Sequence, residues 1–429
     1  MKAHFTFLIT MALAISAARA ASPDDGEPVS PEVDSRTAQI EQERREKATH
    51  LEPDEVGKVE GFLRRFKDEK FLEKAASGYN GFRPKIGKMA TGGGFAIGPS
   101  YHREGLLSGQ LTAGASAQIS TKNYQKVDTQ LSFPHLAHGR ATFDFYAAHR
   151  NYQSINFYGS GPSSTKGGRS DYRLEDTFAD GVFGVKPLKG ITVGGSAGYL
   201  MMNIGPGQDS RFISTDKLFT PTQAPGIDRQ TNFLRYGGYA HADYRDNPLG
   251  PKNGGSYLVQ WSKYQDREIG LHDFRRLDVD LEQYIGLFNR TRVFAFRART
   301  TLTDTDAGQS VPFYLQPILG GSDDLRGFRP YRFSGRNLLA LNGEYRWEAF
   351  SGLDMALFFD AGKVFDRRGQ LNFAHLEKSV GFGFRFNVLN HVFLRTDVGF
   401  SREGVQVWFK FNDAFGQHRP GTASTQPIL

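Results

Sequence analysis

Arg326 sits in the run Leu319-Gly320-Gly321-Ser322-Asp323-Asp324-Leu325-Arg326-Gly327-Phe328-Arg329, and two strand-like segments after it carry Glu344 and Asp360. One guanidinium and two carboxylates are suited to bidentate, charge-assisted pairing rather than to making or breaking bonds. On 337–348, Leu339, Leu341, Tyr345 and Trp347 take one face, and Asn342, Glu344, Arg346 and Glu348 take the other. On 354–362, Met355, Leu357 and Phe359 share a face, so Asp354 and Asp360 lie opposite. Arg326 reaches Glu344 and Asp360 only if the 303–336 connection folds into an enclosed space. The alternative is a solvated loop with turn-forming Gly and Asp.

Other residue patterns carry less chemistry. Gly194-Gly195-Ser196-Ala197-Gly198 has the spacing of a hydrolase nucleophile elbow, but that elbow needs a strand–turn–helix setting, and this run lies inside an alternating strand. Eleven His are scattered without metal-ligand spacing, so no metal and no cofactor is expected. Gly92-Gly93-Gly94 lacks the Lys and helix of a phosphate loop. The chain contains no Cys, which excludes disulfides and thiolate-held metal. The formal charge of +7 comes with no clustered nucleic-acid motif, and lumen charge or lipid headgroup contact accounts for it.

The elements that must position Arg326 follow from the period of the chain. Residues 1–20 read as a secretory signal: Lys2, an apolar run from Phe5 to Ile15, and Ala18-Arg19-Ala20 before the cut. Loss of Lys2 and Arg19 would lower the charge by two. Residues 21–80 read as a disordered and helical periplasmic extension or plug, with Val56, Val59, Leu63 and Phe66 forming one apolar stripe. From Phe82 the period is two. Val380, Phe382, Phe384 and Phe386 alternate with Gly381, Gly383 and Arg385; Val392, Leu394, Thr396 and Val398 alternate with Phe393, Arg395 and Asp397.

Charges of both signs on the alternate face of many strands suit a wide, wet lumen with lipid outside better than a soluble sandwich. Fifteen strand-like segments are recognisable, beginning with 87–98, 106–119 and 124–133 and ending with 404–411. Single-chain bacterial barrels have even strand numbers, so a sixteenth is expected at Phe82–Met89. The fold class is therefore an all-β, 16-stranded antiparallel transmembrane barrel over 81–411 with a short helical N-terminal extension. A polar tail, 412–429, follows. The long connections 151–169, 203–232 and 303–336 are expected on the extracellular side. Lys189-Gly190 and Asn387–Asn390 are expected as periplasmic turns.

Leu325-Arg326-Gly327-Phe328 matches the (V/I/L)-R-G-(F/Y) loop motif, and Phe358-Phe359-Asp360-Ala361-Gly362 the F-x-D-x-G strand motif, of the BamA-like superfamily of outer-membrane proteins, the bacterial surface antigen family. Asp243-Tyr244-Arg245-Asp246-Asn247-Pro248 with Pro251-Lys252-Asn253-Gly254 resembles another family turn. The resemblance covers about 80–411. It implies an inward-folded loop fastened by Arg326, Gly327, Phe328, Glu344, Asp360 and Gly362. It also implies a lateral seam between the first and last strands. Gly92, Gly93 and Gly94 would weaken one side of that seam, and Val407 and Phe409 would lie on the other. Residues 21–80 are too short and too helical for a POTRA domain, so a member without POTRA domains is expected.

The function the resemblance implies is assistance in protein insertion, translocation or envelope assembly in the bacterial outer membrane, without enzymatic catalysis. Expected partners are outer-membrane lipid and client outer-membrane or secreted proteins, with no nucleic acid. A passive channel or structural barrel is the alternative, and an outer-membrane hydrolase rests on Ser196 alone.

Overall fold

The computed structural model describes residues 80–87, 89–388, 391–411 and 415. The chain divides into two units, 1–62 and 63–429, and every described residue belongs to the second. The expected signal segment and the apolar stripe from Val56 to Phe66 lie outside the described residues, as does most of the 412–429 tail.

Sixteen strands form the wall. They are β1 (Phe82–Gly87), β2 (Ala96–Gly105), β3 (Leu111–Ser120), β4 (Gln125–His135), β5 (Ala141–Phe157), β6 (Ser170–Leu188), β7 (Ile191–Pro206) and β8 (Phe233–Asp243). Then come β9 (Gly254–Asp266), β10 (Phe274–Leu287), β11 (Arg292–Asp304), β12 (Asn337–Phe350), β13 (Leu353–Phe365), β14 (Glu377–Val388), β15 (His391–Ser401) and β16 (Gly404–Lys410). Each pairs antiparallel with its successor, from Gly87 opposite Ala96 to Arg395 opposite Lys410. This is a nearly closed 16-stranded barrel. Among the described residues no ladder joins β1 to β16.

The alternation reads directly as two environments. On β16, Val405, Val407 and Phe409 are exposed on the outer face, whereas Trp408 and Lys410 are buried. On β13 Leu357 and Phe359 are exposed and Phe358 and Asp360 buried. An apolar outer band and a charged interior are what a lipid-embedded wall requires, because strands satisfy their backbone groups laterally and need no helix.

Two strand positions differ from the sequence reading. The 87–98 segment is not one strand: β1 ends at Gly87, 89–95 is irregular, and β2 starts at Ala96. The 106–119 strand starts later, because Leu107 and Ser108 take left-handed φ of 51° and 57° in a tight turn. β5 and β7 also run into the expected connections 151–169 and 203–232, to Phe157 and Pro206, beside an aromatic cluster that includes Tyr152, Phe157, Tyr172, Phe313 and Tyr331. That cluster packs where the long connections meet.

Candidate functional site

Asp323 to Phe328 enters the barrel as the inner limb of the 305–336 connection. Leu325 and Phe328 are fully buried and pack with Leu319, Phe333, Leu338, Ala340 and Val364. The Phe328 and Phe333 rings meet edge-on at 5.2 Å. This apolar anchor places Arg326 against the wall formed by β12 to β16.

Arg326 donates Nε to Asp360 Oδ2 at 3.0 Å, Nη2 to Asp360 Oδ1 at 2.8 Å and Nη1 to Glu344 Oε2 at 2.6 Å. Its backbone N–H also donates to Asp360, at 3.1 Å. Its guanidinium lies 3.5 Å from the centre of the Phe358 ring, a cation–π contact in a desolvated setting. Arg326 is 2% exposed and Asp360 0%, so these charges are paired because unpaired ones could not remain there.

The pairing extends into a network. Glu344 also accepts from Arg346 and Arg385, each at 2.8 Å. Arg385 donates to Asp397 at 2.7 Å, and Arg395 lies 3.1 Å from Asp397. Asn342 donates to Asp360 and to the Asp324 carbonyl, tying wall to loop. Asp323 accepts from Lys410 at 3.0 Å. Burial pushes the Asp323 carboxyl up, but Lys410 and Arg395 outweigh burial and hold it at about 2.

Close approach of backbone to wall depends on two glycines. A Cβ at Gly327 would stand 2.6 Å from the Ser379 side chain and 2.7 Å from the Phe400 carbonyl. A Cβ at Gly399 would meet the Arg326 carbonyl at 2.5 Å. That carbonyl accepts from the Trp408 indole at 2.7 Å, and the Gly327 carbonyl accepts from Ser401 at 2.7 Å. At Gly362 a Cβ would crowd the Leu339 carbonyl and Leu319. The six loop-lock residues named from sequence thus lie in one region, with Phe328 in the apolar anchor rather than in the ion network.

The sequence reading did not identify Asp397, Arg385, Arg395 or Trp408 as partners. Their inward phase was readable, since Arg385, Arg395 and Asp397 alternate with apolar residues. The contact across strands and onto the loop was not, because phase fixes a face but not a distance.

The seam residues lie differently. Gly92, Gly93 and Gly94 are in the β1–β2 connection rather than in a strand. Gly92 sits beside Pro330 and Gly93 beside Tyr124, while Met89 and Ala90 are buried. Val407 and Phe409 are on the exposed face of β16. Just past the end of β16, the Phe411 ring lies 3.9 Å from the Cβ position of Gly87 on β1, and its centre lies 6.4 Å from that of the Phe95 ring in the β1–β2 connection.

Ser196 lies in mid-strand on β7, opposite Val182 and Gly237, with no turn or helix after it. In the 243–254 turn, Asp246 accepts from the backbone of Asn247, Lys252 and Asn253 and so closes the turn.

A protein-family model for the Omp85 superfamily domain matches residues 112–412. Two solved structures share the fold. BamA from Haemophilus ducreyi lacking POTRA domains 1–3 superposes with a TM-score of 0.58 at 13% identity, covering 77% of this chain and 69% of that one. CdiB from Escherichia coli superposes with a TM-score of 0.53 at 12% identity, covering 76% of this chain and 60% of that one. No curated protein sequence gives a significant match. With the family model spanning most of the barrel and its loop and strand motifs brought together, the chain belongs to the Omp85 superfamily.

Proposed function

We propose that the protein resides in the bacterial outer membrane and assists the insertion, translocation or assembly of client proteins through a lateral seam, without enzymatic catalysis. The observation that carries this reading is the arginine-fastened loop of an Omp85-superfamily barrel: Arg326 is bound to Asp360 and Glu344 on the wall, and its carbonyl to Trp408 on the last strand. The loop and β16 are therefore one packed unit. With no β1–β16 ladder among the described residues, β16 is held from the lumen side. Movement of the loop would free the last strand to pair with an incoming client strand, whose exposed edge needs backbone partners in lipid.

The chain has no Cys, so an introduced pair is unique. Phe95→Cys with Phe411→Cys places thiols at the seam for a short cleavable bis-maleimide. Client barrel folding into proteoliposomes is expected to stop on crosslinking and return on cleavage. Undiminished folding in the crosslinked protein would rule out lateral opening. Depletion of specific outer-membrane proteins from the envelope of a deletion strain would identify the clients.

A further inference from the structure

A second feature stands apart from the arginine-fastened loop. Between the β3–β4 turn, the β5–β6 and β7–β8 connections and the 305–336 connection lies a cavity of about 570 Å³. Lys122, Arg169, Arg211 and Arg329 all line it, with Asp209 as the acidic residue of the lining. Asp209 is already engaged: Arg211 donates Nε and Nη2 to it at 2.8 and 2.6 Å. Among the described residues, Lys122, Arg169 and Arg329 form no ion pair. Burial lowers the Lys122 ammonium below its ordinary value, and Arg211 and Arg169 lower it further. Cations gathered in this way repel one another, and an anion relieves that repulsion.

Three details indicate a built site. Arg169 is held in place: both its Nε and Nη2 donate to Asn156 Oδ1, and its guanidinium lies 3.7 Å from the centre of the Phe212 ring. Tyr331 lines the cavity at 4% exposure, and its hydroxyl has no hydrogen-bond partner. Its backbone stands at φ 61°, a left-handed conformation that is costly for a bulky residue and is found where surrounding structure enforces it.

We propose that this cavity binds a phosphorylated saccharide, with the guanidiniums and Lys122 on its phosphate and Tyr331 and the amide side chains on its hydroxyls. Three arginines match the planar, multi-oxygen geometry of a phosphate better than that of a halide. The volume is that of a small-molecule site and exceeds what a bare phosphate fills. The neutral lining, including Gln153, Asn156 and Gln208, presents donors and acceptors suited to a hydroxylated ring. Gly92 of the β1–β2 connection and Gln406 of β16 also line the cavity, so it adjoins the seam side of the barrel. The ligand's source is either a glycolipid headgroup of the outer leaflet or a soluble sugar phosphate.

The test uses the full chain, folded in detergent and checked by heat-modifiable migration. The probe is a soluble diphosphorylated glucosamine disaccharide, followed by titration calorimetry. One saturable site is expected, weakened by added salt. Arg169→Gln combined with Lys122→Gln should weaken it by about tenfold or more, since each removes a charged hydrogen bond. Tyr331→Phe, which keeps the ring, should weaken it by a smaller factor. Absence of saturable binding, or binding unchanged in the folded Arg169→Gln/Lys122→Gln variant, would overturn the proposal. Repeating the titration in nanodiscs with and without lipid A separates the sources. A site blocked by lipid A is one that the glycolipid headgroup fills; a site equally open in both takes the soluble sugar phosphate.

Discussion

Arg326 and Asp360 are joined by three hydrogen bonds, two from the guanidinium and one from the Arg326 backbone N–H. The backbone bond means that Asp360 holds the loop's path as well as its charge. Removing either partner leaves the other buried.

Arg326→Ala is accordingly expected to cost about 3–5 kcal/mol, because Asp360 loses the cation that offsets its burial, while Glu344 loses one partner and keeps Arg346 and Arg385. Arg326→Lys should recover only part of that, since an ammonium cannot span both oxygens of Asp360 while reaching Glu344. Urea unfolding of the refolded barrel measures both. Arg326→Ala/Asp360→Asn should cost less than the sum of the single changes, and strict additivity would show that the two do not act together.

A steric prediction concerns the glycines. Gly399→Ala puts a methyl 2.5 Å from the Arg326 carbonyl, and backbone there cannot move without disturbing the Trp408 bond. A loss of roughly 1–3 kcal/mol is expected from overpacking. Gly369→Ala is the control, because nothing lies within 4 Å of its Cβ position. Equal stability of the two variants would show that the loop has room at Gly399.

These two predictions draw on residues of unequal legibility. The inward phase of Glu344 and Asp360 and the outward phase of Leu357 and Phe359 followed from period two. So did the strand count, once parity called for a strand at Phe82. Gly399 did not stand out, since a glycine opposite Gly381 in an alternating strand is ordinary until a loop carbonyl is found against it. The Gly92–Gly94 run reads in the sequence as weakening one side of the seam, but its glycines lie in a connection packed beside Pro330 and Tyr124 rather than in a strand. The register of a loop on a wall depends on three-dimensional packing, which a one-dimensional pattern does not encode.

Acid should loosen the loop in a defined window. The Asp323 carboxyl falls from 3.8 to about 2 on folding, despite burial, because of Lys410 and Arg395. A lowered carboxyl contributes stability above its ordinary value and loses it as pH falls from about 4 through 2. A lowering of that size is worth about 2 kcal/mol. Neighbouring Asp324 runs the other way: burial raises its carboxyl in spite of Arg299 and Arg297, so its penalty fades in acid. Asp323→Asn isolates the first effect. With Trp261 and Trp347 replaced by Phe, Trp408 fluorescence reports docking. Its change between pH 4 and 2 should be reduced in Asp323→Asn, and an identical pH profile would show that the Lys410 pair does not hold the loop.

The last prediction joins the loop to β16. Trp408→Phe keeps an aromatic ring in the lumen but removes the N–H that donates to the Arg326 carbonyl. That carbonyl is buried, and leaving it unpaired costs about 1–3 kcal/mol. The ion pairs of Arg326 with Asp360 and Glu344 are untouched, so the loop should stay docked on β12 and β13 while its hold on β16 weakens. Hydrogen exchange separates these outcomes. Faster exchange at 404–410 with unchanged exchange at 337–348 is expected. Faster exchange over both segments would mean that the indole supports the whole loop, and unchanged exchange over both would mean that β16 is held by other contacts.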